Sequence, residues 1–371
     1  MVDVIVSGHL CLDLLPDMRR ASPSDLAVPG RMVDVGPMQV ATGGAVSNTG
    51  IALHRLGVDV GLHATVGDDL IGHLILDHVR SQVGERADMI VVRPGLASSY
   101  TIVLAPGTSD RLFLHCTGNN AAFTASDVTV SSLRGAKIFH LGYPPLLPKL
   151  IENDGRGLAQ VFQTARKAGA ITSLDTTFPD LTTEAGTADW PRILRGALKH
   201  VDIFVPSLEE SLYMLRGADF ARWSGHPSHS VTYAYLDAFA DELLAMGPAV
   251  VGFKLGELGV FLKTAPDDRF DRMRPGGLRF ENWQDKCVYQ PAYQVSVAGT
   301  TGAGDAAYAA LLAAALRGLS IDEAARWSCA VGACCCEALD AVSGVRSWTD
   351  TAARISAGWP HRPERLAGTP D

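Results

Sequence analysis

The chain has 371 residues, of which 47% are hydrophobic and 19% charged, and a formal net charge of −8 at pH 7. Those values describe an ordinary globular protein with room for one large domain or two medium ones. The acidic balance argues against a nucleic-acid footprint, which needs clustered Lys and Arg, but suits a nucleotide that arrives with its magnesium.

The opening stretch MVDVIVSGHLCLDLLP has no basic leader and carries Asp3 inside its apolar run. It reads as a first β-strand over residues 2–7 rather than as a signal peptide. The patterning then predicts a helix over 47–56, a strand over 58–66, a strand over 137–141, a helix over 157–168 and a strand over 170–175. A helix over 190–199, a strand over 201–205, a helix over 233–246 and a strand over 249–254 with a hairpin partner over 259–263 follow. Alternation of this kind implies an α/β fold with a mostly parallel sheet between helices.

Residues 11–40 and 98–116 break the alternation. Short runs such as SYTIVLA and RLFLHC read as antiparallel strands outside the βαβ order, forming one small sheet that serves as a lid. Residues 217–230 and 265–286 are rich in Gly, Pro, Asp and Arg and read as surface insertions, and a short Pro-rich tail starts at Pro360. The longest near-apolar run, 306–316, is mostly alanine and too short to span a bilayer, which excludes a membrane role. Seven cysteines, three of them adjacent at Cys334, Cys335 and Cys336, show no C-x-x-C spacing. They read as small buried residues in a reducing cytoplasm, because neighbours on a helix point apart and make poor joint metal ligands.

Four features carry chemistry. In VAGTTGAGDAAYAALLAAAL, the turn Gly302-Ala303-Gly304 enters a helix and leaves backbone N–H groups converging on one spot, where the helix dipole favours an anion. Asp305 in the first turn can accept a proton from an attacking hydroxyl. Anion cradle and carboxylate together suit phosphoryl transfer to an alcohol, although a plain N-cap reads equally well on these residues alone. In GFKLGELGVFL, Lys254, Gly256 and Gly259 form a turn that can lie against a nucleotide or be an ordinary hairpin. In ATGGAVSNTGIALHRLG, Gly43 and Gly44 let the backbone approach a polyhydroxy ligand, and Asn48 offers both donor and acceptor. Asp13 follows the first strand, where a carboxylate is well placed for sugar hydroxyls or serves simply as a turn residue.

The order of these features, with VGDDLIG after the G-G-x-x-x-N segment and TTGAGDAAYAALLAAAL near the C-terminus, resembles the ribokinase (PfkB) family of carbohydrate and nucleoside kinases over nearly the whole chain. The resemblance implies one ribokinase-like domain spanning 1–371, an α/β sandwich with a small β-sheet lid. It also implies ATP- and Mg2+-dependent phosphorylation of a hydroxymethyl group on a small sugar or sugar acid. In that scheme Asp305 matches the general base, and Gly302, Ala303 and Gly304 the anion hole. Lys254, Gly256, Gly259 and Thr301 match nucleotide contacts. Asp13, Gly43, Gly44 and Asn48 match sugar contacts, with Asn120 in TGNNAAF added from the lid side. Asp175 lies near the phosphate and metal region of relatives, and Glu210 matches the acid linked to magnesium, through water. A homodimer through the lid is a further expectation.

Three positions depart from the pattern. Ser207 replaces the asparagine of P-N-x-x-E, so metal handling is expected to be retained but altered. Gly299 stands where potassium-activated members carry an aspartate, which leaves monovalent-cation activation doubtful although backbone carbonyls can hold an ion. Cys11 stands where ribokinase contacts ribose through asparagine, which weakens a ribose assignment. Two alternatives remain open: a nucleoside kinase of the same family, with Tyr100, Phe113 and Phe123 as the base slot, and a non-catalytic sensor on the same fold.

Overall fold

Strands β1 (Val4–Gly8), β4 (Val60–Gly67), β8 (Ile138–Gly142) and β9 (Ile171–Asp175) are buried at every residue. A strand buried on both faces belongs to the middle of a sheet covered by helices on each side. The computed structural model describes residues 2–107, 112–223, 230–266, 268–280 and 282–369, and builds that sheet from nine strands. Their order is β13-β12-β11-β10-β9-β8-β1-β4-β5, where β5 is Ile90–Arg93, β10 Ile203–Phe204, β11 Val250–Lys254, β12 Val260–Thr264 and β13 Cys287–Gln290. All neighbours are parallel except β12, which is antiparallel to both β11 and β13.

The helices that matter for the site are α1 (Ala45–Arg55), α2 (Leu70–Val83), α3 (Pro148–Lys167), α4 (Trp190–Leu198), α5 (Leu208–Leu215), α6 (Tyr233–Ala245), α7 (Ala303–Leu316), α8 (Ile321–Cys335) and α9 (Trp348–Ser356). Helix α1 packs on β1 and β4 and on α7, and α7 in turn packs along α8. Alanine dominates α7 and is buried there almost throughout, which allows both neighbours to approach closely. Helix α3 starts earlier than the 157–168 expectation but is broken at Asn153–Gly155, where the backbone turns left-handed. No helix among the described residues is long and apolar enough to cross a membrane.

The lid is a separate sheet of order β3-β2-β6-β7, with β2 at Cys11–Pro16, β3 at Met38–Gly43, β6 at Tyr100–Leu104 and β7 at Leu112–Cys116. Both off-pattern segments therefore contribute, but the expectation of antiparallel pairing holds only for β2 with β3 and β6 with β7. The central pair β2 and β6 is parallel. The reason is topological: β2 leaves β1 and β6 leaves β5, two strands of one parallel sheet, so both enter the lid in the same direction. Residues 108–111 of the second lid segment and 224–229 of the first insertion lie outside the described residues. The second insertion corrects another expectation, since Phe270, Met273, Phe280 and Trp283 are core residues, not surface ones. Residues Asp268–Gly276 form a 3₁₀ helix there, and the four large side chains still seek the core.

Register fixes where the site lies. Gly8 pairs with Gly142 and Gly142 with Asp175, so the residues that follow each strand emerge side by side at one carboxyl edge. Ser207 bridges Lys254 at the same edge beyond β10. This is the edge at which open α/β sheets bind ligands.

Candidate active site

Asp305 is the third residue of α7 and is 3% exposed. Gly302 caps the helix at φ 74°, and a Cβ there would lie 2.5 Å from Ala341, so both conformation and space require glycine. The turn thus delivers the first N–H groups of α7 and the Asp305 carboxylate to one place, as the sequence pattern implied. A Cβ on Gly304 would meet Lys254 Nζ at 3.4 Å, which places the β11 lysine directly before the helix terminus.

Three donors converge on the Asp305 carboxylate. Asn48 Nδ2 donates to Oδ2 at 3.0 Å, Thr49 Oγ1 to Oδ1 at 3.2 Å and Tyr143 Oη to Oδ2 at 2.6 Å. Burial, with Asp305 and Asp175 nearby, pushes the Tyr143 phenol well above its ordinary range, so its hydroxyl keeps the proton and donates. Asn48, expected on the sugar, gives its amide N–H to the Asp305 carboxylate. Tyr143 and Thr49 were not anticipated from sequence.

Lys254 Nζ forms an ion pair with Asp175, at 2.7 Å to Oδ1 and 2.5 Å to Oδ2. Burial pushes the Asp175 carboxyl up and Lys254 opposes it. Burial alone would lower Lys254, but Asp175, Glu210 and Asp305 outweigh it and hold the ammonium above its ordinary range. Glu210 accepts from Thr176 Oγ1 at 2.8 Å and from the Ser207 N–H at 3.1 Å, while Ser207 Oγ accepts the Glu210 N–H at 3.2 Å. The serine that replaces asparagine therefore caps α5 in a reciprocal box with the acid. No group of three metal-ligating side chains occurs among the described residues. Both Asp175 oxygens and Glu210 Oε2 are already engaged, so these two acids would hold a magnesium carried in by a nucleotide through water rather than directly.

A cavity of about 590 Å³ opens before this cluster. Lys254, Gly256, Gly259, Gly302, Ala303, Gly304 and Asp305 line it, together with Tyr143, Glu210 and Thr300. Thr301 is not among its lining residues; Thr300 is. Tyr293, Val295, Val297, Cys329 and Cys336 give the far end an apolar wall. The C-terminal tail closes it: Arg362 lines the cavity and donates to Glu257 at 3.0 Å, while Trp359 and His361 both stack on Tyr293. Nothing in the Pro-rich tail signalled this role.

The expected sugar contacts gather on the lid side of Asp305. Asp13 is pushed up to about 6 by burial, against the opposing effect of Cys11 and Thr101. The buried Cys11 thiol donates to Asp13 Oδ1 at 3.4 Å. A Cβ on Gly43 would stand 2.3 Å from Asp13 Oδ2, so any side chain there would displace that carboxylate. Asn120 Nδ2 donates to the Leu10 carbonyl at 2.9 Å, and its buried Oδ1 has no partner. Of the lid aromatics offered for a nucleoside base, Phe113 is 55% exposed, while Phe123 is fully buried against His63.

Solved structures share this arrangement of sheets. Arabidopsis thaliana ribokinase complexed with ribose and ATP superposes with a TM-score of 0.72 at 19% identity, covering 95% of this chain and 98% of its own. Xylella fastidiosa fructokinase with bound ATP gives 0.71 at 18% identity, over 96% and 99%. In sequence, a Solanum tuberosum fructokinase is 26% identical over 174 residues, 46% of this chain, and the match spans half of that relative's length. An uncharacterized sugar kinase of Archaeoglobus fulgidus is 25% identical over 80% of this chain and 98% of its own. The pfkB family carbohydrate kinase model matches residues 3–348, which takes in both sheets, the Gly302–Asp305 turn and the Lys254 strand. On that match the chain belongs to the pfkB family of carbohydrate kinases.

Proposed function

We propose that the protein transfers the γ-phosphoryl group of ATP to a hydroxymethyl group of a small sugar. The observation that carries this reading is Asp305, buried at a helix N-terminus between a nucleotide-sized cavity and a polar corner that contains Asp13, Gly43, Gly44 and Asn120. The acceptor hydroxyl loses its proton to Asp305 as its oxygen bonds to the γ-phosphorus and the bond from phosphorus to the ADP oxygen breaks. The N–H groups of the Gly302-Ala303-Gly304 turn face the charge on the transferring oxygens, and Lys254 adds a fixed cation beside them. Glu210 and Asp175 would hold the nucleotide's magnesium through water, and the bound ion would supply charge neutralisation at the phosphates. Asn48, Thr49 and Tyr143 fix the orientation of the base, and the lid excludes water that would otherwise hydrolyse ATP.

ADP release measured with ATP across neutral sugars, sugar acids and nucleosides tests the reading. At least one sugar is expected to turn over. Silence across the whole set would shift the assignment to a ligand sensor on the same fold. The lid's outer strands expose Met38, Val40, Leu112, Phe113 and Leu114, which favours pairing of two copies there. Light scattering at micromolar concentration is expected to give twice the chain mass.

A further inference from the structure

From the unpartnered polar atoms beside Asp13 we infer that His9 is a substrate-contacting specificity residue and that the acceptor it selects is an uncharged polyol rather than a sugar acid. The inference deepens the kinase reading above and rests on it.

His9 follows β1 at the active edge, is 2% exposed, and neither ring nitrogen has a hydrogen-bond partner. Its ring lies over Gly44, where a Cβ would come within 2.5 Å of Nδ1. The ring centroid is 5.4 Å from that of His115 on lid strand β7 and 6.3 Å from that of Tyr143, whose hydroxyl reaches Asp305. The imidazole therefore sits among the sugar-side glycine, the lid and the base. The next residue, Leu10, gives its carbonyl to Asn120, whose Oδ1 also lacks a partner. Three buried polar atoms without partners in one corner are costly unless a ligand satisfies them.

The chemistry of that ligand follows from charge. Burial, with His115 beside it, lowers His9 to about 3, so the ring stays neutral and offers one N–H donor and one acceptor nitrogen. A hydroxyl matches either. The anionic walls are Asp13 and Asp305, and among the described residues no Lys or Arg bonds to Asp13, His9, His115 or Asn120. Thr101 links the lid histidine to the same cluster through a 3.0 Å contact with His115 Nδ1, and that contact is neutral too. A carboxylate on the acceptor would meet two carboxylates and no paired cation, whereas vicinal hydroxyls meet donors and acceptors in turn.

The test compares wild type, His9→Phe and His9→Gln on matched neutral sugars and aldonic acids of equal carbon number, by ADP release and by calorimetric binding of the same compounds. His9→Phe keeps the ring and removes both nitrogens, so Tm is expected to match or exceed that of wild type. The acceptor KM and Kd are expected to rise about tenfold, one lost hydrogen bond's worth, while kcat and the ATP KM change less than twofold. His9→Gln, which keeps a donor and an acceptor, is expected to recover most of the loss. An unchanged acceptor KM in His9→Phe, or a parallel fall in kcat and ATP affinity, overturns the role of His9. Preference for the aldonic acids overturns the substrate class. If nothing turns over, the kinase reading fails, and the calorimetric arm still decides whether His9 binds a neutral sugar.

Discussion

Replacing Asp305 with asparagine separates chemistry from architecture. The carboxylate accepts from Thr49 on one oxygen and from Asn48 and Tyr143 on the other. An asparagine can keep its oxygen toward Asn48 and Tyr143 and aim its NH2 at the Thr49 hydroxyl, which rotates to accept. Hydrogen bonds to a charged group contribute about 1.5–3 kcal/mol and neutral ones about 0.5–1.5, so the change weakens the cluster by about 1–2 kcal/mol per bond. Removing a buried charge offsets much of that, and Tm is expected to move by only a few degrees. Without the base, kcat/KM is expected to fall about 10²–10⁴-fold, equivalent to about 3–5 kcal/mol of barrier. ADP release at saturating ATP and sugar reads the loss, and calorimetry with ATP is expected to give a Kd within about threefold of wild type. An asparagine variant with native Tm and activity within tenfold of wild type would refute the assignment of Asp305 as the base. Asp305→Ala is the contrast, because it leaves three donors without an acceptor and so costs stability as well as activity.

Gly43→Ala places a methyl where Asp13 Oδ2 now sits, 2.3 Å away, and is expected to raise the acceptor KM at least tenfold with the ATP KM unchanged. Asp13 supplies a pH signature. Its carboxyl titrates near 6 when folded and near 3.9 when unfolded, a difference that corresponds to about 3 kcal/mol. The folded state holds the extra proton between those values, so this part of the stability is lost as pH rises from about 4 to 6. Asp13→Asn is therefore expected to melt several degrees above wild type at pH 7 and level with it near pH 4, while its acceptor KM rises. A gap independent of pH would contradict this. At Gly299 a Cβ would stand 2.9 Å from the Ala338 carbonyl and 3.1 Å from that of Leu339. Turnover is expected to be equal in potassium and sodium, and Gly299→Asp to lower Tm rather than create activation; a severalfold potassium effect in wild type would refute this.

The parts of this site that were legible in sequence are those where local chain chemistry dictates the backbone. Gly302 is read correctly because a left-handed cap with no room for a Cβ admits little else, and Asp305 follows two residues into the first turn. Lys254 and its glycine turn sit within one hairpin. The pairing of Lys254 with Asp175 spans 79 residues and depends on strand order, to which periodicity is blind. Tyr143 and His9 were invisible for a different reason: an aromatic or a histidine beside a buried strand is usually core, and only register shows these two at the ligand edge. Asn48 illustrates the reverse. Its motif was recognised, but whether its amide meets a sugar or Asp305 is decided by side-chain direction. In the lid, alternation marked the strands while the parallel pairing of β2 with β6 came from how each leaves the main sheet.

The tail beyond the family-matched region has a consequence for how the molecule is handled. Trp359, His361 and Arg362 are held by Tyr293 and Glu257, and Leu366 N–H donates to Tyr289 Oη at 3.0 Å. Because that strap walls the cavity before Asp305, anything that binds there also favours the docked strap, and by reciprocity a loosened strap weakens binding. If ATP occupies that cavity, as proposed, cleavage by trypsin after Arg365 is expected to slow in its presence.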